Sequence, residues 1–141
     1  MKDEKHLLSD SAEWMTSSEF VDKEGKIFKA IGESKITHEC DCIINESWAC
    51  IEGRKVYNTY KIARETELKY KFESENPDLG TQTGEFNVDR NVVYSKFTVK
   101  DSTLNGFEII IKDEDECNVY GTLFNGTELV NTWRTIMVRI Q

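Results

Sequence analysis

Residues 67–75 read ELKYKFESE, and their reading decides the fold: Leu68, Tyr70 and Phe72 fall on one side of an extended chain, Glu67, Lys69, Lys71 and Glu73 on the other. Strict period two is the mark of a β-strand with one dry and one wet face. Phe107, Ile109 and Ile111 repeat the alternation, so their side of that strand is expected to be dry as well.

Outward from this stretch, the chain breaks into similar runs rich in Val, Ile, Tyr, Phe and Thr: 26–38, 42–51, 54–63, 67–75, 81–89, 92–99, 106–112, 117–124 and 128–139. The punctuation between them is turn chemistry. Glu52-Gly53 and Asn125-Gly126 suit two-residue hairpins, Asn105-Gly106 closes a longer loop, and Glu114-Asp115-Glu116 is a solvated tip. The single proline, Pro77, sits in a loop, where its missing N–H costs nothing. Ahead of the runs, Trp14, Met15, Phe20 and Val21 fit one short amphipathic helix with Ser9 or Asp10 as N-cap. The fold class expected is therefore all-β: an antiparallel up-and-down β-barrel of about nine or ten strands, because a twisted sheet of that size removes its edges by closing. A two-sheet sandwich is the alternative, but it needs long crossing connections that the short connectors here do not supply. The domain expected is one barrel over residues 1–141, with 1–24 a helical segment and 25–141 the barrel.

A formal net charge of −8 over 141 residues disfavours a nucleic-acid backbone or an anionic lipid surface as partner. The N-terminus has no apolar core of signal-peptide length, and the expected location is cytoplasmic, with the four cysteines as reduced thiols. Three of them lie in residues 36–51, ITHECDCIINESWACI. His38, Cys40 and Cys42 would share one face of a continuous strand and offer a nitrogen and two sulfurs to a metal. Length opposes this. Sixteen extended residues span about 53 Å, whereas a domain of this size is roughly 37 Å across. A turn at Glu39-Cys40-Asp41 separates His38 from Cys42, and no metal or cofactor is expected. A cysteine paired with His38 as a nucleophile lacks an orienting carboxylate, so no catalytic residue is assigned.

With its N-terminal element, its Gly-containing first strand FKAIGESKI (residues 28–36) and its meander ending in Trp133, Arg134 and Arg139, the chain resembles the calycins, in particular the bacterial lipocalin-like and nitrobindin-like barrels. The resemblance implies a tryptophan near the start of the barrel packed against an arginine of the last strand, parts open to Trp14 and Arg139, with Arg134 competing. It also implies a cavity for a small, mostly apolar ligand. Haem binding is not carried over, since no histidine follows His38 and FKAIGES has no tryptophan.

Alternation then nominates the lining. Ile44, Glu46, Trp48 and Cys50 share a face, as do Val56, Asn58, Tyr60 and Ile62, and Tyr70 and Gln82 continue the series. On the last strand Val130, Thr132, Arg134, Ile136 and Val138 compete with Leu129, Asn131, Trp133 and Met137; the Arg134 face is the more continuously apolar and is favoured inward. Trp48, Tyr60, Tyr70 and Phe97 are expected to line the cavity, and Glu46, Asn58 and Arg134 to orient the ligand, Glu46 or a ligand carboxylate balancing the arginine. Two alternatives stand beside ligand binding. An isomerase or cyclase on the same barrel would use an inward Glu46 or Tyr60 as acid or base. A homodimer would use outward Ile43, Ile110, Tyr120 and Phe124.

Overall fold

Connectors this short leave each strand no choice but to run antiparallel to the one before it. In a computed structural model, which describes residues 4–141, ten strands follow one another: β1 (Ala12–Asp22), β2 (Ile27–His38), β3 (Ile43–Ile51), β4 (Arg54–Thr66), β5 (Lys69–Asn76), β6 (Gly80–Asp89), β7 (Val92–Val99), β8 (Leu104–Asp113), β9 (Glu116–Asn125) and β10 (Glu128–Arg139). Each strand pairs with its sequence neighbours, and β1 also pairs with β10, from Trp14↔Arg139 to Asp22↔Asn131, which closes the barrel.

The turns carry out their chemistry with two corrections. Glu52 and Gly53 both have positive φ, 49° and 80°, as a two-residue hairpin of matching twist requires. The β9–β10 turn falls one residue later than expected, on Gly126-Thr127, and Asn105-Gly106 lies inside β8. Gly106 is there for space: a Cβ on it would come within 2.7 Å of the Phe97 ring. Residues 36–51 form a hairpin, with His38 ending β2, Ile43 opening β3 and the Glu39 amide donating to the Cys42 carbonyl at 2.9 Å.

The expected N-terminal helix is instead β1, and the barrel begins at Ala12. An isolated helix of this length is marginal in water. The edges of β2 and β10 meanwhile present unpaired N–H and C=O groups, and one strand between them satisfies both rows. Taken in twos, Trp14, Thr16, Ser18 and Phe20 point in, while Met15, Ser17 and Glu19 point out. Trp14 is 1% exposed.

The core occupies the end of the barrel where β1 begins and β10 ends. Trp14, Ile36, Ile62, Phe86, Val93 and Met137 pack there. Residues ahead of β1 plug that end: a turn held by the His6 amide on Ser9 Oγ (2.9 Å) and the Ser9 amide on the His6 carbonyl (3.0 Å) delivers Leu7 and Leu8 into the cluster. Trp14→Ala should therefore cost about 3–5 kcal/mol in a urea melt, whereas Met15→Ala, one residue on, should stay within about 0.5 kcal/mol of the parent. Equal losses at the two positions would contradict the strand phase of β1.

Candidate functional site

Eight strands close around a space that side chains just fill. Ten leave more, and in this barrel the filling stops partway. Beyond the packed end lies a cavity of about 510 Å³, within the size range of small-molecule sites. Its wall carries the aromatic rings of Phe20, Phe28, Tyr60, Phe72, Phe97 and Trp133. Phe72 and Phe86 stack at 4.5 Å, continuing the rings into the packed end. The mouth lies by Phe28, Ile51, Asp78 and Leu79, at the hairpin turns. There Arg54 grips Asp78 through two hydrogen bonds of 3.0 and 2.6 Å, tying the β3–β4 turn to the β5–β6 turn. The Arg54 hydrogen bond holds the Asp78 carboxyl below the usual carboxylate range.

Three strand pairs make room for the rings by the same device. Phe72 lies opposite Gly84, Phe97 opposite Gly106 and Trp133 opposite Gly121, and a Cβ on any of these glycines would press into the facing ring at 2.1–2.7 Å. Gly121 does more than accommodate. It is the register partner of both Glu108 on β8 and Trp133 on β10. With no side chain between them, the indole reaches across β9, and Trp133 Nε1 donates to Glu108 Oε2 at 2.7 Å.

On the other side Ser47 and Asn58 belong to an interior tier of polar groups. Ser74 Oγ donates to Asn58 Oδ1 at 2.7 Å, Ser34 Oγ to Asn45 Oδ1 at 2.7 Å, and Ser47 Oγ to the Asn58 carbonyl at 3.3 Å. Burial pushes the Tyr60 phenol well above its ordinary value; the Glu108 charge adds to the push, and hydrogen bonds to Ser74 and Asn58 oppose it only in part. The Glu108 carboxyl is also raised, by desolvation, with the Trp133 N–H pulling the other way. Its remaining exposed surface belongs to the cavity, which has room for water but no cation: the lining residues include no lysine, arginine or histidine. Asn131 Oδ1, two residues from Trp133 on the same face, is buried without a hydrogen-bond partner.

Of the residues nominated from sequence, Asn58, Tyr60 and Phe97 line this cavity. Tyr70 points inward but is 5% exposed in the packed end, edge-on to His6. The other three require correction. Glu46 is exposed on the outer wall, which removes the acid–base role suggested for it. Trp48 borders the cavity, but from the outer face that it shares with its partner Tyr57, where its indole lies under Lys55 Nζ at 4.1 Å. Arg134 is exposed, and Asn131, Trp133, Thr135 and Met137 take the inward positions of β10. On β8 too the inward phase is the opposite one: Gly106, Glu108 and Ile110 face in, while Phe107 and Ile111 are 46% and 36% exposed. Glu108 and Trp133 were thus missed together. The signal that points to them is glycine inside a strand, which marks close approach by a neighbour.

Arg139 stands across the ladder from Trp14 and lies 4.0 Å from Asp115. Among the described residues no group of three His, Cys, Asp or Glu side chains is arranged to hold a metal ion. The buried Cys117 thiol is pushed up to about 12 by desolvation.

No protein-family model matches the chain, and no curated protein matches it in sequence. Solved structures do match in shape. Rv2717c from M. tuberculosis superimposes with a TM-score of 0.74 at 11% identity, over 92% of each chain. The S-type phycobiliprotein lyase CPES from Guillardia theta gives 0.70 at 11% identity, over 92% of this chain and 88% of its own. A redesigned β-barrel, mFAP1, bound to DFHBI, gives 0.50 at 12% identity, over 91% and 93%. What the chain shares with them is the fold, here a closed antiparallel barrel.

The raised carboxyl has a consequence for stability. Unfolded, Glu108 ionises near the ordinary glutamate value of about 4.3; folded, it holds its proton to higher pH. In that window the native state binds more protons, so Glu108 contributes most below the unfolded value and its contribution is lost as pH rises through the folded one. Thermal melts from acid to neutral pH should show Glu108→Gln gaining on the parent as pH increases. Parallel curves would contradict a raised Glu108.

Proposed function

We propose that the barrel binds a small, mostly apolar ligand inside its hollow half. The observation that carries this reading is a cavity of about 510 Å³ walled by aromatic rings, in which Ser18, Asn58, Thr135 and Trp133 have polar partners while Glu108 and Asn131 keep unpaired oxygens. Few, placed polar groups on an apolar wall are the usual division of labour in ligand sites. The likeness to mFAP1, a barrel bound to DFHBI, supports the reading at the level of architecture. Native mass spectrometry of protein purified without denaturant should show an adduct that leaves on unfolding. Ala49→Phe, which adds a ring to the cavity wall from β3, should abolish it. Protein that carries no adduct and gives no fluorescence increase with N-phenyl-1-naphthylamine would overturn the proposal.

A second reading comes from the outer wall. Ile43 and Ile110, expected outside, are core residues. A different set is exposed on adjacent strands: Met15 60%, Ile31 65%, Ile136 48% and Val138 49%. Met15 pairs with Val138, and Ser17 lies between Ile136 and Ile31. One border of this patch is the cross-strand row Lys29, Glu19, Arg134, which carries both signs and so can pair with its own copy across a two-fold axis. The occupant proposed is a second copy of this chain. Sedimentation velocity should show a dimer that Ile136→Glu dissociates while probe uptake is unchanged; a parent that stays monomeric at its highest soluble concentration would rule this out.

A further inference from the structure

We propose that the ligand of this cavity is a flat, mostly apolar amine that presents its cationic nitrogen to Glu108. The proposal rests on the cavity being a ligand site and adds the chemistry of what enters it.

The charge of the interior is one-sided. Glu108 has one oxygen held by Trp133 Nε1, makes no second hydrogen bond among the described residues, and meets no basic side chain on the cavity wall. A carboxyl so enclosed costs stability unless something answers it, and groups of this kind concentrate at functional sites. Asn131 Oδ1, buried without a donor, is a second acceptor in the same cavity. Two acceptors waiting for donors select a ligand with N–H groups.

Charge decides between classes of ligand. A carboxylate ligand would bring a second negative charge to the cavity, and like charges repel more strongly there than in water. An ammonium group gains the same interaction with opposite sign, and the faces of the lining aromatics, Trp133 above all, add cation–π attraction. The chain's net charge of −8 favours the approach of cations from solution. A flat ring system can stack against a wall that carries Tyr60, Phe72 and Phe97.

The proton is accounted for. If the carboxyl is protonated in the empty barrel and the amine enters neutral, the proton moves from Glu108 to the ligand nitrogen. If the amine enters as ammonium, the proton goes to solvent. Either way the bound state is a carboxylate–ammonium pair.

The test uses three probes of nearly one shape: 1-naphthylmethylamine, 1-naphthalenemethanol and 1-naphthoate, titrated calorimetrically into the full chain at neutral pH. The parent should bind the amine about tenfold or more tighter than the alcohol, with naphthoate weakest. Glu108→Gln keeps an oxygen for the Trp133 N–H; in it the amine and the alcohol should bind alike, the alcohol as in the parent. If that variant does not fold, pH decides instead: acidification, which protonates Glu108 and leaves the amine charged, should remove the parent's preference for the amine and leave alcohol binding unchanged. Alcohol binding without preference for the amine overturns the cation proposal and leaves the ligand cavity standing. A preference that survives Glu108→Gln, or that survives acidification where the variant cannot be read, also overturns it. Failure of all three probes to bind overturns both.

Discussion

The double pairing of β1 is the constraint on which the rest depends. β1 hydrogen-bonds to β2 along one edge and to β10 along the other, and only this converts a ten-strand sheet into a barrel. Closure leaves no strand edge open, so the wall is held by a continuous backbone ladder rather than by what lies inside it. An interior held that way does not have to be filled throughout. The packed end supplies hydrophobic stabilisation from Trp14, Ile36, Ile62, Val93 and their neighbours, and the other half stays hollow.

The hollow half is shaped by absences as much as by side chains. Gly84, Gly106 and Gly121 face inward, and the rings opposite them lie flat against the wall instead of crossing the space. At Gly121 the missing side chain also lets Trp133 and Glu108 meet across an intervening strand. A buried carboxyl, a phenol pushed upward and a row of paired serines and asparagines make this interior polar for a barrel core. These groups cost stability where they stand. The fold does not require them, and the proposed ligand would answer them.

Legibility in the sequence followed the line between the two halves. Where the interior is packed, the apolar phase of a strand is the inward phase, and Tyr70 and Phe72 on β5 and Ile62 on β4 were assigned correctly. On three of the strands around the cavity the rule fails. On β3 the inward series past Ile43 is Asn45, Ser47 and Ala49, less apolar than the outward Ile44, Trp48 and Cys50. On β8 the outward Phe107, Ile109 and Ile111 outweigh an inward series that contains glycine and glutamate. On β10 the outward Ile136 and Val138 disguise the phase that carries Trp133. A hollow interior is wet, and an apolar outer patch compounds the inversion.

By itself the sequence determined the strands after residue 25 to within a few residues, most of the turns that join them, the antiparallel meander and the inward placement of Asn58, Tyr60 and Phe97. Those features are local: alternation, turn residues and short connectors are written in neighbouring positions. The tertiary structure alone decided that residues 12–22 are a strand, and which of two phases faces in on β3, β8 and β10. Period two states that a strand has two faces without stating which is inside. That choice is made when the barrel closes, and here it replaced the expected Glu46 and Arg134 by Glu108 and Trp133, bonded across the cavity wall.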